Sequence, residues 1–218
     1  MRAFDFAKFL WHQRIIGFPV ATEPHFDGNE SKDWFVEALS QCHRYLEYGT
    51  GGSTYLAAQL GVPFVAVDSD KYFLRAVERK ISAAGYRDQN QVFRYADIGF
   101  TGTWGRPLGR VDARRLAKFR SYSDIPPECF EGQFPDLVLV DGRFRVACAL
   151  KVMKTLAECS PRWDVAVDDY AQRSEYHVLE SYSTPTLVGR MAVFSRLSVS
   201  GQSLNLKSEI ERWETVSA

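Results

Sequence analysis

Three stretches of the chain repeat one pattern: PFVAVDSD at 63–70, PDLVLVDG at 135–142 and WDVAVDDY at 163–170. Each is a short, wholly apolar run that ends in an acid. A strand that faced water on one side would alternate polar and apolar residues. A wholly apolar one fits a parallel sheet covered on both faces. RYLEYG at 44–49 and QVFRYAD at 91–97 read as two further strands of the same sheet. Helix-like segments lie between them: STYLAAQLG and KYFLRAVERKISAAG, each closed by a glycine stop, then VACALKVMKTLAEC and RSEYHVLESY. Before the first strand, SKDWFVEALSQC offers Ser31 as an N-cap. Strand–helix alternation with short links predicts an α/β, doubly wound, Rossmann-like sheet of about seven strands, with helices on both faces. TPTLVGRMAVFSRL, turning at Gly189, predicts an antiparallel edge pair.

The domain so predicted spans 31–196, after an N-terminal extension (1–30) whose Phe4, Phe6, Phe9, Leu10 and Trp11 suit docking, and before a C-terminal tail or helix at 197–218. Residues 99–134 join the third and fourth strands with more chain than an ordinary connection needs. A short helix around Ala113–Phe119 is expected inside that insertion. The rest, rich in Gly and Pro, reads either as a loop over the sheet edge or as a solvated insertion.

Composition removes several classes of function. Lys plus Arg and Asp plus Glu are 27 each, which argues against a nucleic-acid binder with a broad basic face. No apolar run approaches a membrane span, and the N-terminus lacks a signal-peptide core. Cys42, Cys129, Cys148 and Cys159 show no CxxC spacing, so reduced thiols and a cytoplasmic setting are the expectation.

In open parallel sheets, ligands bind beyond the carboxyl ends of the strands, where strand order reverses. Those ends hold Glu47–Thr54, Asp68 and Ser69, Asp97 and Ile98, Asp141–Arg143, and Asp168 and Asp169. All five strands end in an acid, which suggests a site that needs acceptors. The turn after the first strand, LEYGTGGST, discriminates between ligands. A dinucleotide fingerprint wants GxGxxG, but Thr54 stands at the third glycine position. A phosphate-binding GK[ST] loop is absent. Glycine backbone beside carboxylates suits instead a ligand with a cationic end and a ribose.

LEYGTGGST resembles motif I of class I S-adenosylmethionine-dependent methyltransferases, roughly [ED]xGxGxG, with Ser53 in place of the last glycine. The resemblance extends over about 31–196. It implies that Tyr48, Gly49, Thr50, Gly51 and Gly52 pass close to the cofactor, and that Glu47 lies near its methionine ammonium. It further implies that Ser53 and Thr54 offer hydroxyls or N–H groups, and that Asp68, 17 residues after Gly51, takes the ribose hydroxyls beside Ser69. Asp97, with Ile98, would contact the adenine, and Asp141 would border the cofactor. The DDY after the fifth strand, with the acid after the fourth, is similar to metal-dependent O-methyltransferases of the macrocin type. That similarity implies a Mg²⁺ held by Asp141, Asp168 and Asp169, which would bind an acceptor hydroxyl and lower its pKa.

Alternatives stand beside these readings. Arg143 and Arg145 are placed to neutralise the acids without metal, and Asp168 or Asp169 could cap the next helix. Arg173, Tyr176 and His177 share one face with Asp169 if that helix begins at once, which would make His177 a candidate base. Asp141, Asp169, Arg143 and His177 are therefore the catalytic candidates. The expected activity is O-methyl transfer to a small-molecule or glycan-like hydroxyl. A non-catalytic binding module of the same fold is the competing class, and a nicotinamide-dependent oxidoreductase is a weaker one. The sequence leaves open whether the chain forms a homo-oligomer.

Overall fold

The computed structural model describes residues 11, 17, 19–102, 105–132, 134–195 and 203–217. Seven strands form one sheet: β1 (Tyr45–Tyr48), β2 (Phe64–Asp68), β3 (Gln91–Tyr95), β4 (Leu137–Val140), β5 (Asp164–Val167), β6 (Thr186–Val188) and β7 (Met191–Phe194). Their order is β3-β2-β1-β4-β5-β7-β6. All neighbours run parallel except β7, which is antiparallel to both β5 and β6. The predicted architecture and the antiparallel edge pair are therefore present. Gly189 makes the hairpin turn between β6 and β7 with a left-handed φ of 60°.

Six α-helices flank the sheet among the described residues: α1 (Asn29–Gln41), α2 (Gly52–Gln59), α3 (Lys71–Ala83), α4 (Ala113–Ser123), α5 (Arg145–Cys159) and α6 (Ser203–Trp213). Side chains alternate faces along a strand. Leu46, Tyr48, Val138, Val140, Val165 and Val167 pack with Phe119, Tyr122, Leu150, Leu156 and Trp213, which come from α4, α5 and α6. Tyr45, Phe64, Ala66, Leu137, Leu139 and Ala166 pack with Phe35, Leu39, Ala57, Val77 and Ile81, which come from α1, α2 and α3. The central strands thus have a core on each side, which is why, Glu47 and the strand ends apart, they are apolar. No helix is long and apolar enough to cross a membrane among the described residues.

Two local expectations are corrected. Ser31 is not the cap of α1: the helix starts at Asn29 after Gly28, and the buried Ser31 hydroxyl donates to the Val188 carbonyl at 2.7 Å. The segment after β5 does not enter an α-helix at once. Asp169 turns with a φ of 59°, and Ala171 N–H bonds to the Arg190 carbonyl, drawing the chain toward the hairpin. A 3₁₀ helix then runs over Ser174–Ser181. Its buried side, Tyr176 and Leu179 continuing to Tyr182, has a spacing of three, the repeat of a 3₁₀ helix.

Candidate functional site

The register aligns Tyr48, Val67, Val140 and Val167 across β1, β2, β4 and β5, so Asp68, Asp141 and Asp168 emerge in one row at the carboxyl ends. Strand order reverses between β1 and β4, and the glycine turn leaves β1 there. A Cβ on Gly49, whose φ is +97°, would lie 2.7 Å from the Gly142 backbone nitrogen. A Cβ on Gly142 would lie 2.1 Å from the Tyr122 hydroxyl. The β1 and β4 turns therefore touch backbone to backbone, with Tyr122 closing from the other side and accepting from Arg143 N–H at 3.1 Å. Gly142 falls in the Asp141–Arg143 stretch expected at the site but has no role of its own there, and Tyr122 is not among the expected site residues. The DG after β4 was a signal for the first, and nothing local marks the second.

The turn satisfies its own donors. Gly49 N–H bonds to the Val67 carbonyl at 2.8 Å. Asp68 Oδ2 accepts from Thr50 N–H at 2.9 Å and from the Thr50 hydroxyl at 2.6 Å. Gly51 N–H donates to Thr54 Oγ1 at 2.9 Å, and that hydroxyl donates onward to Glu47 Oε2 at 2.6 Å. Ser53 donates to Glu47 Oε1. Gly51 itself borders open space, since a Cβ there would meet nothing within 4 Å.

This network corrects the roles expected of three residues. Glu47 is fully buried inside β1 rather than standing at a hydrated rim, and both its oxygens are occupied. The Ser53 and Thr54 hydroxyls turn inward to Glu47, which leaves only their N–H groups for the role expected of them. Burial pushes the Glu47 carboxyl up to about 8, against the pull of those two hydroxyls.

Asp68 lies in a different setting. It is half-buried beside the turn, and Oδ1 accepts Asp70 N–H at 2.8 Å. A carboxylate has about four acceptor positions, so the three bonds leave it capacity for a ligand hydroxyl. Desolvation in the crevice raises its pKa. Asp70 caps α3 by accepting from Tyr72 and Phe73 N–H. Ser69 is buried, and a Cβ on Gly105 would come within 3.0 Å of its hydroxyl and 3.8 Å of Arg143 Cγ. The insertion thus crosses the carboxyl ends of β2 and β4. Ile98 is fully buried. Asp97 is exposed and already engaged, by Lys118 at 2.5 Å and Gly99 N–H at 2.8 Å. These partners hold its carboxyl below the usual range, Lys118 most strongly. A contact from Asp97 to adenine would require it to leave Lys118.

The second half of the site is the acid cluster. Asp141, Asp168 and Asp169 each offer an oxygen within 4.8 Å of the others, as the sequence suggested. Arg145 lies among them, only 4% exposed. Its Nε donates to the Gly142 carbonyl at 3.1 Å. Its Nη1 reaches the Asp168 carbonyl at 2.7 Å and Asp169 Oδ2 at 3.1 Å. Its Nη2 reaches the Asp141 carbonyl at 2.9 Å and Asp141 Oδ1 at 2.8 Å. Arg190, from the β6–β7 hairpin, pairs with Asp169 Oδ1 at 3.0 Å and lies 3.8 Å from Asp168 Oδ2. Arg173 approaches Asp169 Oδ2 at 3.5 Å. Burial opposes charge on Arg145 most strongly, but Asp141, Tyr176, Asp169 and Asp168 together outweigh it and the arginine stays above its usual range. Asp141 keeps 38% of its side chain open, yet the protein surrounds it as at the floor of a crevice. That desolvation lifts it to about 7 against Arg145, and the neighbouring acids add to the rise.

Arg143 is buried below the insertion, and burial followed by the Arg145 charge lowers its pKa. His177 is exposed and stacks on Tyr170 at 5.2 Å between ring centroids. The early turn at Asp169 removes the helical face that would have brought His177 to the acids. Their ion pairs among the described residues go to arginines. Residues ahead of α1 also reach the site. A Cβ on Gly52 would lie 1.7 Å from the Glu23 carbonyl, and Asp27 pairs with Arg190 at 3.0 Å. Of the five aromatic and apolar residues expected to dock the N-terminus, Phe4, Phe6, Phe9 and Leu10 lie outside the described residues, and Trp11 is exposed.

No protein-family model matches the chain, and no curated protein matches it by sequence. Eleven chains among solved structures do match. One is a methyltransferase-like protein (spo2022) from Silicibacter pomeroyi DSS-3, which is 29% identical with a TM-score of 0.70. The match covers 89% of this chain and 99% of that one. The chain therefore has a methyltransferase-like fold over most of its length.

Proposed function

We propose that the protein is an S-adenosylmethionine-dependent methyltransferase of the class I type that methylates oxygen on a small-molecule or sugar-type hydroxyl. The observation that carries this reading is the glycine turn, which keeps the N–H groups of Gly49, Thr50 and Gly51 for itself and faces the carboxylates of Asp68 and Asp141. A pyrophosphate needs free N–H donors and would be repelled by those acids. A ribose needs acceptors, and a cationic sulfonium and ammonium need negative charge nearby. The donor set fits S-adenosylmethionine on those grounds, and the similarity to a methyltransferase-like protein supports the same choice.

Bound there, the cofactor would supply a methyl group on a positively charged sulfur. The chain's part is positioning and proton transfer. Asp68 holds the ribose hydroxyls, and Gly51 leaves its side of the turn open for the ligand to pass. Asp141, held near 7 by its crevice and open on one side, would take the proton of the acceptor hydroxyl. The insertion over Ser69 and Arg143 keeps water from the reacting atoms. Free thiols at all four cysteines support a reducing, cytoplasmic setting.

The Mg²⁺ implied by the macrocin-type similarity does not fit the donor set. Mg²⁺ needs free oxygen ligands and keeps several waters, whereas arginines engage Asp141 Oδ1 and both oxygens of Asp169. No step is assigned to a metal.

Isothermal titration of the purified protein with S-adenosylmethionine and with its demethylated product tests the reading. Binding of both, with methyl transfer to a hydroxyl acceptor, is the expected result. A folded protein that binds neither at millimolar ligand would sink it. Binding without turnover across a broad acceptor panel would favour the non-catalytic module.

A further inference from the structure

We propose that Arg145 is the resident cation of the acid cluster, doing by five hydrogen bonds what a divalent metal would do by coordination. A guanidinium has five N–H donors in a planar fork. Five acceptors surround this one: the carbonyls of Asp141, Gly142 and Asp168, and one carboxylate oxygen each from Asp141 and Asp169. They belong to the ends of two neighbouring strands, β4 and β5. Arg145 is the first residue of α5, so the helix start, both strand ends and two acids are fixed by one side chain.

The surrounding charge agrees. Among the described residues Arg145, Arg173 and Arg190 pair with these acids, and Arg143 adds positive charge near Asp141. A divalent ion added to this set would create excess positive charge beside an arginine that is 4% exposed. Arg145, Arg173 and Arg190 leave two of the six carboxylate oxygens without an ion pair among the described residues. Asp168 Oδ1 is sealed from solvent, which leaves no room for the waters that Mg²⁺ retains. Asp141 keeps part of its side chain open, but a metal on it would sit next to Arg145. Arg145 would hold the strand ends in this way whatever reaction occurs above them.

Titration with Mn²⁺, followed by electron paramagnetic resonance on cofactor-free protein, decides the matter without any activity measurement. Wild type is expected to bind no stoichiometric Mn²⁺ at millimolar metal. One Mn²⁺ per chain, lost in Asp169→Asn, would overturn the assignment. Arg145→Met removes the cation and leaves the acids. It is expected to gain one Mn²⁺ per chain, and Asp141→Asn added to it should abolish that gain. A folded Arg145→Met that gains no metal would also count against Arg145 as the occupant. Should Arg145→Met fail to fold, Arg145→Lys keeps a charge without the fork. It is expected to stay free of metal, and Mn²⁺ binding by the lysine variant would contradict the proposal.

Discussion

Glu47 shows how one residue can serve a binding turn without touching a ligand. Its oxygens collect the Ser53 and Thr54 hydroxyls, and Thr54 in turn holds Gly51 N–H. Its pKa is about 8 in the folded chain against 4.5 ordinarily, so the folded state keeps a proton that the unfolded chain releases. A carboxyl raised on folding makes stability fall as pH rises between those values. Glu47→Gln should remove much of that slope, on the order of 4 kcal/mol between about pH 4.5 and 8. Asp141, raised to about 7, leaves a smaller slope in place. Urea melts of both proteins across that range provide the check, and identical profiles would show that Glu47 holds no such proton. Asp68 is the contrasting case, an acid with acceptor capacity to spare. Asp68→Ala should weaken cofactor binding by roughly 1–3 kcal/mol, the cost of lost charge-assisted hydrogen bonds. Unchanged affinity by titration would place the ribose elsewhere.

Elements come together at this site through close backbone approaches. The start of α2 lies under the chain at Glu23, and only a glycine at position 52 leaves room for that carbonyl. Alanine at 52 would suit the helix, yet its Cβ must displace backbone. Gly52→Ala should therefore release residues 19–27 and lower stability by about 1–2 kcal/mol. Amide hydrogen exchange should quicken over that segment, and unchanged protection there would refute the contact. The insertion is held in the same direct manner, by Gly105 against Ser69 and Tyr122 against Gly142. The strands, α3 and the insertion's helix were legible in the sequence, because their apolar periodicity and caps are local. The 3₁₀ helix at Ser174–Ser181 was misread as α because its start depends on Ala171 pairing with Arg190, a contact no local window contains.

The whole molecule is a sheet with a core on each face, closed on one side by α6. Leu206 and Trp213 are buried against α5, while Glu214 pairs with Lys151 at 2.6 Å and Arg120 at 3.0 Å. Trp213→Ala should lower unfolding free energy by roughly 3 kcal/mol, as large-to-small changes in a core do. A loss under about 1 kcal/mol in denaturant melts would mean that charge, not apolar burial, docks the helix. The sequence by itself determined the layered α/β fold and the row of acids at the strand ends. Strand burial and strand termination are written in consecutive residues, so a linear reading finds them. It also placed Asp141, Asp168 and Asp169 together, because adjacent parallel strands carry their ends to one rim. Only the tertiary structure decided what those acids do. Arg145, Arg173 and Arg190 reach them from a helix, a turn and a hairpin, while Glu47 turns inward and His177 faces solvent. A side chain's partner is set by direction and distance in space, and neither follows from its position along the chain.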